Sequence, residues 1–337
     1  MPARLKDIAK DLNLSVVTIS KVLRDHPDIS QDTRQRVLKR MKELNYQPNL
    51  AARALVTGRS NIAGLVVPDL VHPFFGQVAK GLSQGLRKKG YSLVLSSSED
   101  DPELEQQEIE LLLARRVDVL IVASAQSSVE SFQRLTELKV PYVLIDRKFD
   151  GLAANFVGVD DATVGALATS HLIEVGCRRI AHIGGPNVST ALGRRDGYLR
   201  ALAERGITPA PELMQMRGHG DDAGDAHGHR AMHRLLALDV PPDGVFCFND
   251  PTAMGAMKAV LEAGKRVPED VAIAGCGNVA YADFLRIPLT SVDQQSDGIG
   301  ERTARMALAL LENGAPPRTR TVLLEPKLVV RASTQRR

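Results

Sequence analysis

Residues 15–21, SVVTISK, place a hydroxyl, two small apolar side chains, a second hydroxyl and an ammonium in one short run. On a turn and a half of helix these groups suit the floor and walls of a DNA groove. Lys21 can donate to guanine O6 or N7, Val16 and Val17 can touch a thymine methyl, and Ser15 and Thr18 can fix register on phosphates. The lesser alternative is that the two valines are buried between helices. A second suggestive group is His219, Asp221, Asp222, Asp225, His227, His229 and His233, in which His229 and His233 stand four apart and could share a metal. No HExxH glutamate, nucleophile elbow or Walker loop accompanies it, and a polar loop running into a helix accounts for it. No metal, cofactor or catalytic residue is therefore expected. Cys177, Cys247 and Cys276 are scattered and odd in number, which suggests neither a disulfide framework nor a zinc ribbon.

The groove-facing run needs a support that sequence periodicity supplies. Leu5, Ile8, Ala9 and Leu12 recur at helical spacing and can pack on Ile19, Val22 and Leu23 of a second helix. Asn13-Leu14-Ser15 is the turn between them, with Ser15 as N-cap, and this is the layout of a helix-turn-helix. A third helix is expected over 31–44, capped by Ser30 and packed through Val37, Met41 and Leu44. Pro48 then interrupts it and opens a short hinge helix over 49–56. Residues 1–59 hold twelve Lys/Arg against six Asp/Glu, a local +6 in a chain whose net charge is +3. A basic head on a body of net −3 suits a polyanion-binding module.

From Ile62 onward the pattern changes to alternating strands and helices, which makes the fold class a small all-α head on an α/β body of two doubly wound parallel-sheet lobes. The expected divisions are 1–47 for the head, 48–60 for the hinge, 61–160 with 291–320 for the first lobe, and 161–290 with 321–331 for the second. One helix over 298–311 and a terminal strand pair around 322–330 complete it. In open α/β sheets ligands sit beyond the strand C-termini, which directs attention to Asp146-Arg147, the 184–194 segment, Asn249 and the 275–278 turn. The 44% apolar and 25% charged composition is that of a globular protein. No run of eighteen apolar residues occurs, and the chain opens on an amphipathic helix instead of a signal-like segment, so a cytoplasmic protein with no membrane partner is expected.

With LKDIAKDLNLSVVTISKVL, YQPNLAARAL, IAGLVVPDLVHPFF, VLIDR, VGVDD, RRIAHIGGP, GRRDGY, FCFND, VPEDVAIAGCGN and PLTSVDQ in this order, the chain resembles the lactose/galactose repressor family of bacterial transcription factors over essentially its whole length. That resemblance implies a homodimer reading a pseudo-palindromic operator, with a body similar to type I periplasmic sugar-binding proteins that closes on a carbohydrate-like effector. It assigns DNA contacts to Ser15, Val16, Val17, Thr18 and Lys21 and, in the hinge, to Asn49, Ala52, Arg53 and Leu55. Leu55 would be the apolar wedge that opens a base step, or else a plain helix contact. Effector contacts are assigned to Phe74, Phe75, Asp146 and Arg147 in the first lobe and Arg194, Asn249 and Gly277 in the second, although Phe74 and Phe75 could be ordinary core. Two departures stand out. Gly277 occupies a position where the family commonly has Asp, and no aromatic follows the strand near 215. The loss of a carboxylate would admit an anionic or bulkier ligand, unless Asn278 or a water fills the role. The expected function is a DNA-binding regulator, most simply a repressor. The alternatives are a sugar-binding protein without regulatory function and a regulator controlled by a protein partner.

Overall fold

The computed structural model describes residues 4–23, 26–46, 54, 58–126, 129–149, 151–218, 224–314 and 318–336. The chain divides into two units, 1–60 and 61–337. In the first, helices α1 (Leu5–Asp11), α2 (Val16–Leu23) and α3 (Gln31–Glu43) enclose a core of Ile8, Ala9, Ile19, Val22, Val37 and Met41. Asn13 adopts φ 51°, and the Leu14 amide donates to Ala9 O, which turns the chain between α1 and α2. The caps expected from sequence are present: Ser15 Oγ accepts from the Thr18 amide at 3.0 Å and Ser30 Oγ from the Thr33 amide at 3.3 Å. Of the expected hinge helix over 49–56, only Ala54 is described, so Asn49, Ala52, Arg53 and Leu55 lie outside the described residues.

The second unit holds two six-stranded sheets. The first has the order β11-β5-β4-β3-β1-β2, in which β1 is Ile62–Val67, β2 Ser92–Ser97, β3 Val119–Val122, β4 Tyr142–Ile145, β5 Phe156–Val159 and β11 Thr321–Leu324. The second has the order β12-β10-β9-β8-β6-β7, with β6 Ile180–Ile183, β7 Met214–Gln215, β8 Gly244–Cys247, β9 Ala272–Cys276, β10 Thr290–Asp293 and β12 Lys327–Val329. Central strands are buried end to end, as parallel strands covered on both faces must be. Their covering helices are α4 (Pro73–Arg87), α5 (Pro102–Ala114), α6 (Glu130–Glu137), α7 (Asp161–Glu174), α8 (Ser189–Glu204), α9 (Gly224–Leu236), α10 (Asp250–Glu262) and α11 (Ser296–Asn313).

Two expectations about the tail are corrected. The terminal strands do not pair with each other: β11 runs parallel to β5 in the first sheet, and β12 runs antiparallel to β10 in the second. The lobe boundaries move accordingly, because residues 290–293 belong to the second sheet and 321–324 to the first. Short strands carry no local signal for which sheet edge they join; only register with an existing edge decides it. β5 was not expected as a strand, and α8 begins at Ser189, well before Arg194. That earlier start sets Arg194 inside the helix, where it faces α7.

Three helix pairs cross at glycines. A Cβ at Gly165 of α7 would lie 2.0 Å from Arg194 O, and one at Gly197 of α8 would lie 2.0 Å from Ala162 O. The pairs α9/α10 and α4/α11 repeat the arrangement, with Gly255 against Asp225 O and Gly300 against Val78 O. Backbones this close leave no room for any side chain.

Candidate functional site

In the head, Val16 and Val17 are 40% and 63% exposed, which removes the reading that buries them between helices. Ile19 and Val22 take the inward positions of α2 instead. Ser15 and Thr18 hydroxyls bond each other at 2.8 Å. Lys21 Nζ stands 3.4 Å from Asp28 Oδ2, a half-exposed ion pair that is easily exchanged for another acceptor.

In the body, a cavity of about 530 Å³ lies at the C-terminal ends of strands from both sheets. Phe74, Phe75, Asp146, Arg147, Arg194 and Asn249 all line it. Phe74 and Phe75 are 3% and 6% exposed and also belong to the hydrophobic core, so the two readings of them are both realised. The Pro at the first turn of α4 sets up the helix start that places them. Asp146 follows β4 at φ 61°, a left-handed conformation that Asp tolerates better than most residues.

Arg194 is the most constrained of the group. Its Nε donates to Asp161 Oδ1 at 3.0 Å, an Nη donates to Phe248 O at 2.8 Å, and its guanidinium lies 4.7 Å from the centroid of the Phe248 ring. Burial pushes the Asp161 carboxyl up to about 7, against the pull of Arg194. Asn249 caps α10 by accepting from the Thr252 amide through Oδ1, which directs its Nδ2 toward His72 Nε2 at 3.0 Å. Burial holds His72 below the usual histidine range, with Asp146 opposing. A neutral His72 that accepts at Nε2 carries its proton on Nδ1.

Sequence reasoning missed His72, Asp100, Arg217, Phe248 and Gln294, all of which line the cavity. His72, Phe248 and Gln294 sit inside motifs already singled out, and each directly follows or flanks a recognised element. Arg217 follows β7, a two-residue strand too short to register as a pattern. Phe248 supplies an aromatic surface to the second lobe, where none was expected after the strand near 215.

Gly277 departs from expectation. It is not among the lining residues, its φ is 126°, and a Cβ there would lie 3.5 Å from Asp250 Oδ2. Asp250 is fully buried, accepts from Ser291 Oγ at 2.6 Å and the Val279 amide at 2.9 Å, and is pushed up to about 6 by burial. An Asp at 277 would combine backbone strain with a second carboxylate beside the first. Gly277→Asp is therefore expected to lose about 1–3 kcal/mol of stability, measurable by denaturant unfolding. An unchanged midpoint would refute this account of the glycine.

Among the described residues, His229, His233 and Glu262 form the one group with metal-ligand spacing. His229 Nε2 and Glu262 Oε2 already bond each other at 2.6 Å, joining α9 to α10. His227 turns inward and bonds Gly184 O at 3.0 Å, while His219, Asp221 and Asp222 lie outside the described residues. No helix among the described residues is long and apolar enough to cross a membrane.

Comparison with known proteins agrees with both units. Residues 4–49 match the bacterial regulatory proteins of the lacI family, and residues 169–334 match a periplasmic binding protein-like domain. The HTH-type transcriptional repressor PurR of Pasteurella multocida is 30% identical, with 99% of each chain covered. The lac repressor dimer bound to operator and the anti-inducer ONPF superposes with a TM-score of 0.88 at 26% identity over 99% of each chain. A complex of the transcriptional regulator CelR with cellobiose does so with a TM-score of 0.74 at 30% identity, covering 98% of this chain and 99% of the other. The expected fold class is borne out, and an enzymatic role is not supported by these relatives. With its helix-turn-helix head and its two-lobed, cavity-bearing body, the chain belongs to the lacI family of bacterial regulatory proteins, DNA-binding transcriptional regulators under small-molecule control.

Proposed function

We propose that this protein is a cytoplasmic repressor that binds a pseudo-palindromic operator as a homodimer and changes its grip when a polyhydroxylated, carbohydrate-like effector enters the cavity. The observation that carries the effector reading is the convergence of Asp146, Arg194 and Asn249 with the rings of Phe74, Phe75 and Phe248 on one cavity. An open carboxylate accepts from vicinal hydroxyls, and aromatic faces cover the apolar face of a sugar ring. The cellobiose-bound relative supports the same class. Arg194 acts here as both a donor and a strut, since Asp161 and Phe248 O fix its plane.

On the DNA side, Val16 and Val17 take the apolar contacts, Lys21 reads a base, and Ser15 and Thr18 hold phosphates. Asn49, Ala52, Arg53 and Leu55 carry the hinge contacts on the strength of sequence pattern, with Leu55 as the wedge. A footprint on the native operator should display a two-fold repeat with half-sites about one helical turn or more apart. Lys21→Ala should relax preference at one base pair per half-site by about 1–3 kcal/mol while leaving other positions unaffected. A single asymmetric footprint would remove the dimeric reading, and a uniform loss over all sequences would make Lys21 a phosphate contact.

A further inference from the structure

We infer that the effector is a hydroxy acid, whose anionic group, a carboxylate or a phosphate, is held between Arg147 and Arg217. This deepens the effector reading above and rests on it. Asp100, which follows β2 in the first lobe, takes Arg147 on one oxygen at 2.9 Å and Arg217 on the other at 3.2 Å. Two guanidinium groups thus share the one carboxylate of Asp100. Arg147 is 7% exposed and spends a further Nη on Ser124 O at 3.0 Å.

The unmet polar groups point the same way. Arg147 Nε, Arg217 Nε, His72 Nδ1 and Gln294 Nε2 are buried without a hydrogen-bond partner among the described residues. All four are N–H donors, given the proton that the Asn249 contact leaves on His72 Nδ1. A buried donor without an acceptor is unfavourable, and all four belong to residues that line the cavity, which favours a ligand rich in acceptors. Asp146 is the opposite pole, an acceptor carboxylate on the same lining. A ligand with hydroxyls at one end and an anion at the other satisfies both poles; a neutral sugar offers the N–H donors only uncharged hydroxyl acceptors, which bind guanidinium groups more weakly. Because Arg147 belongs to the first lobe and Arg217 to the second, the anion would also tie the lobes together, adding charge-assisted bonds beside the Asp100–Arg217 bridge. Asp69 and Asp146 also line the cavity and Arg194 is paired with Asp161, so the case for an anion rests on the Arg147–Arg217 pair and its unmet N–H groups.

The test is calorimetry of the full-length protein against matched pairs: D-glucose with D-gluconate, D-galactose with D-galacturonate, and D-ribose with D-ribose 5-phosphate. The first two pairs probe a carboxylate and the third a phosphate. At least one acid is expected to bind tenfold or more tightly than its neutral partner, and Arg217→Gln should abolish that difference. Arg147 keeps its Asp100 partner in this variant, and a thermal melt checks that it folds. Equal or weaker binding of all the acids, including no binding by any of them, overturns the proposal, as does an acid advantage that survives Arg217→Gln. The underlying cleft reading is judged separately with Arg194→Ala. If a neutral sugar binds and that variant loses it, the cleft reading stands and only the acid assignment fails. If any bound ligand is unaffected by Arg194→Ala, the cleft reading itself fails.

Discussion

Raising salt from about 50 to about 200 mM is expected to weaken DNA binding by about 10³–10⁵, the range for a protein that neutralises roughly 6–10 phosphates. Each neutralised phosphate releases condensed counterions, and the release is less favourable when the solution already holds many. The source of the charge is local, because twelve Lys/Arg and six Asp/Glu fall within residues 1–59. Not all of those cations are available. Arg40 is held by Asp11 at 2.6 Å and by Glu43 at 3.0 Å, an arrangement that ties α3 to α1 and leaves it poorly placed to serve a phosphate. Lys21 is different, since its partner Asp28 is 62% exposed and 3.4 Å away. Fluorescence anisotropy at a series of salt concentrations gives the slope of log affinity against log salt directly. Substituting Arg40 should leave that slope unchanged, whereas a slope near zero for the native protein would mean that the head does not engage the phosphate backbone.

Gly197→Ala is expected to destabilise the protein by about 1–3 kcal/mol or more and to abolish effector binding. The added methyl would meet Ala162 O at 2.0 Å, and the reciprocal Gly165 faces Arg194 O at the same distance. Neither neighbour is a flexible side-chain end, so relief requires α7 and α8 to separate by more than an ångström. Arg194 and Asp161 sit on opposite sides of that seam with an Nε–Oδ1 distance of 3.0 Å, and the cavity wall moves with them. The control is Gly76→Ala on α4, where a Cβ meets nothing within 4 Å. There the gain in helix propensity should raise stability by about 0.5–1 kcal/mol. Thermal and denaturant unfolding of the two variants, with titration of an effector identified by calorimetry, distinguishes the outcomes. If Gly197→Ala unfolds at the native midpoint, the close helix crossing does not set the geometry of the cavity.

Much of the head and of both sheets follows from local chemistry. Period-3.6 apolar spacing in α1, α2 and α3, the caps at Ser15 and Ser30, and the buried hydrophobic runs of β1, β3, β6 and β8 depend on neighbours within a turn or two of the chain, so they were legible residue by residue. The rule that ligands gather beyond strand C-termini pointed to the segments that hold Asp146, Arg147, Arg194 and Asn249, and the family resemblance picked out the residues. The remaining features involve partners far apart in the chain. Which sheet β10, β11 and β12 join depends on an edge more than a hundred residues distant in the case of β5, and three or four residues of pattern cannot encode that choice. The helix-crossing glycines look like weak helix formers until the facing carbonyl is known. Gly277 looked like a lost ligand contact, yet its neighbour is the buried Asp250 carboxylate and not the cavity. Arg217 carried no signal in a stretch without periodicity, and it acquires meaning only because Asp100, 117 positions earlier, meets it across the lobes. Charge and hydrogen-bond satisfaction are properties of three-dimensional neighbourhoods, and the ligand preference of the cavity is written there.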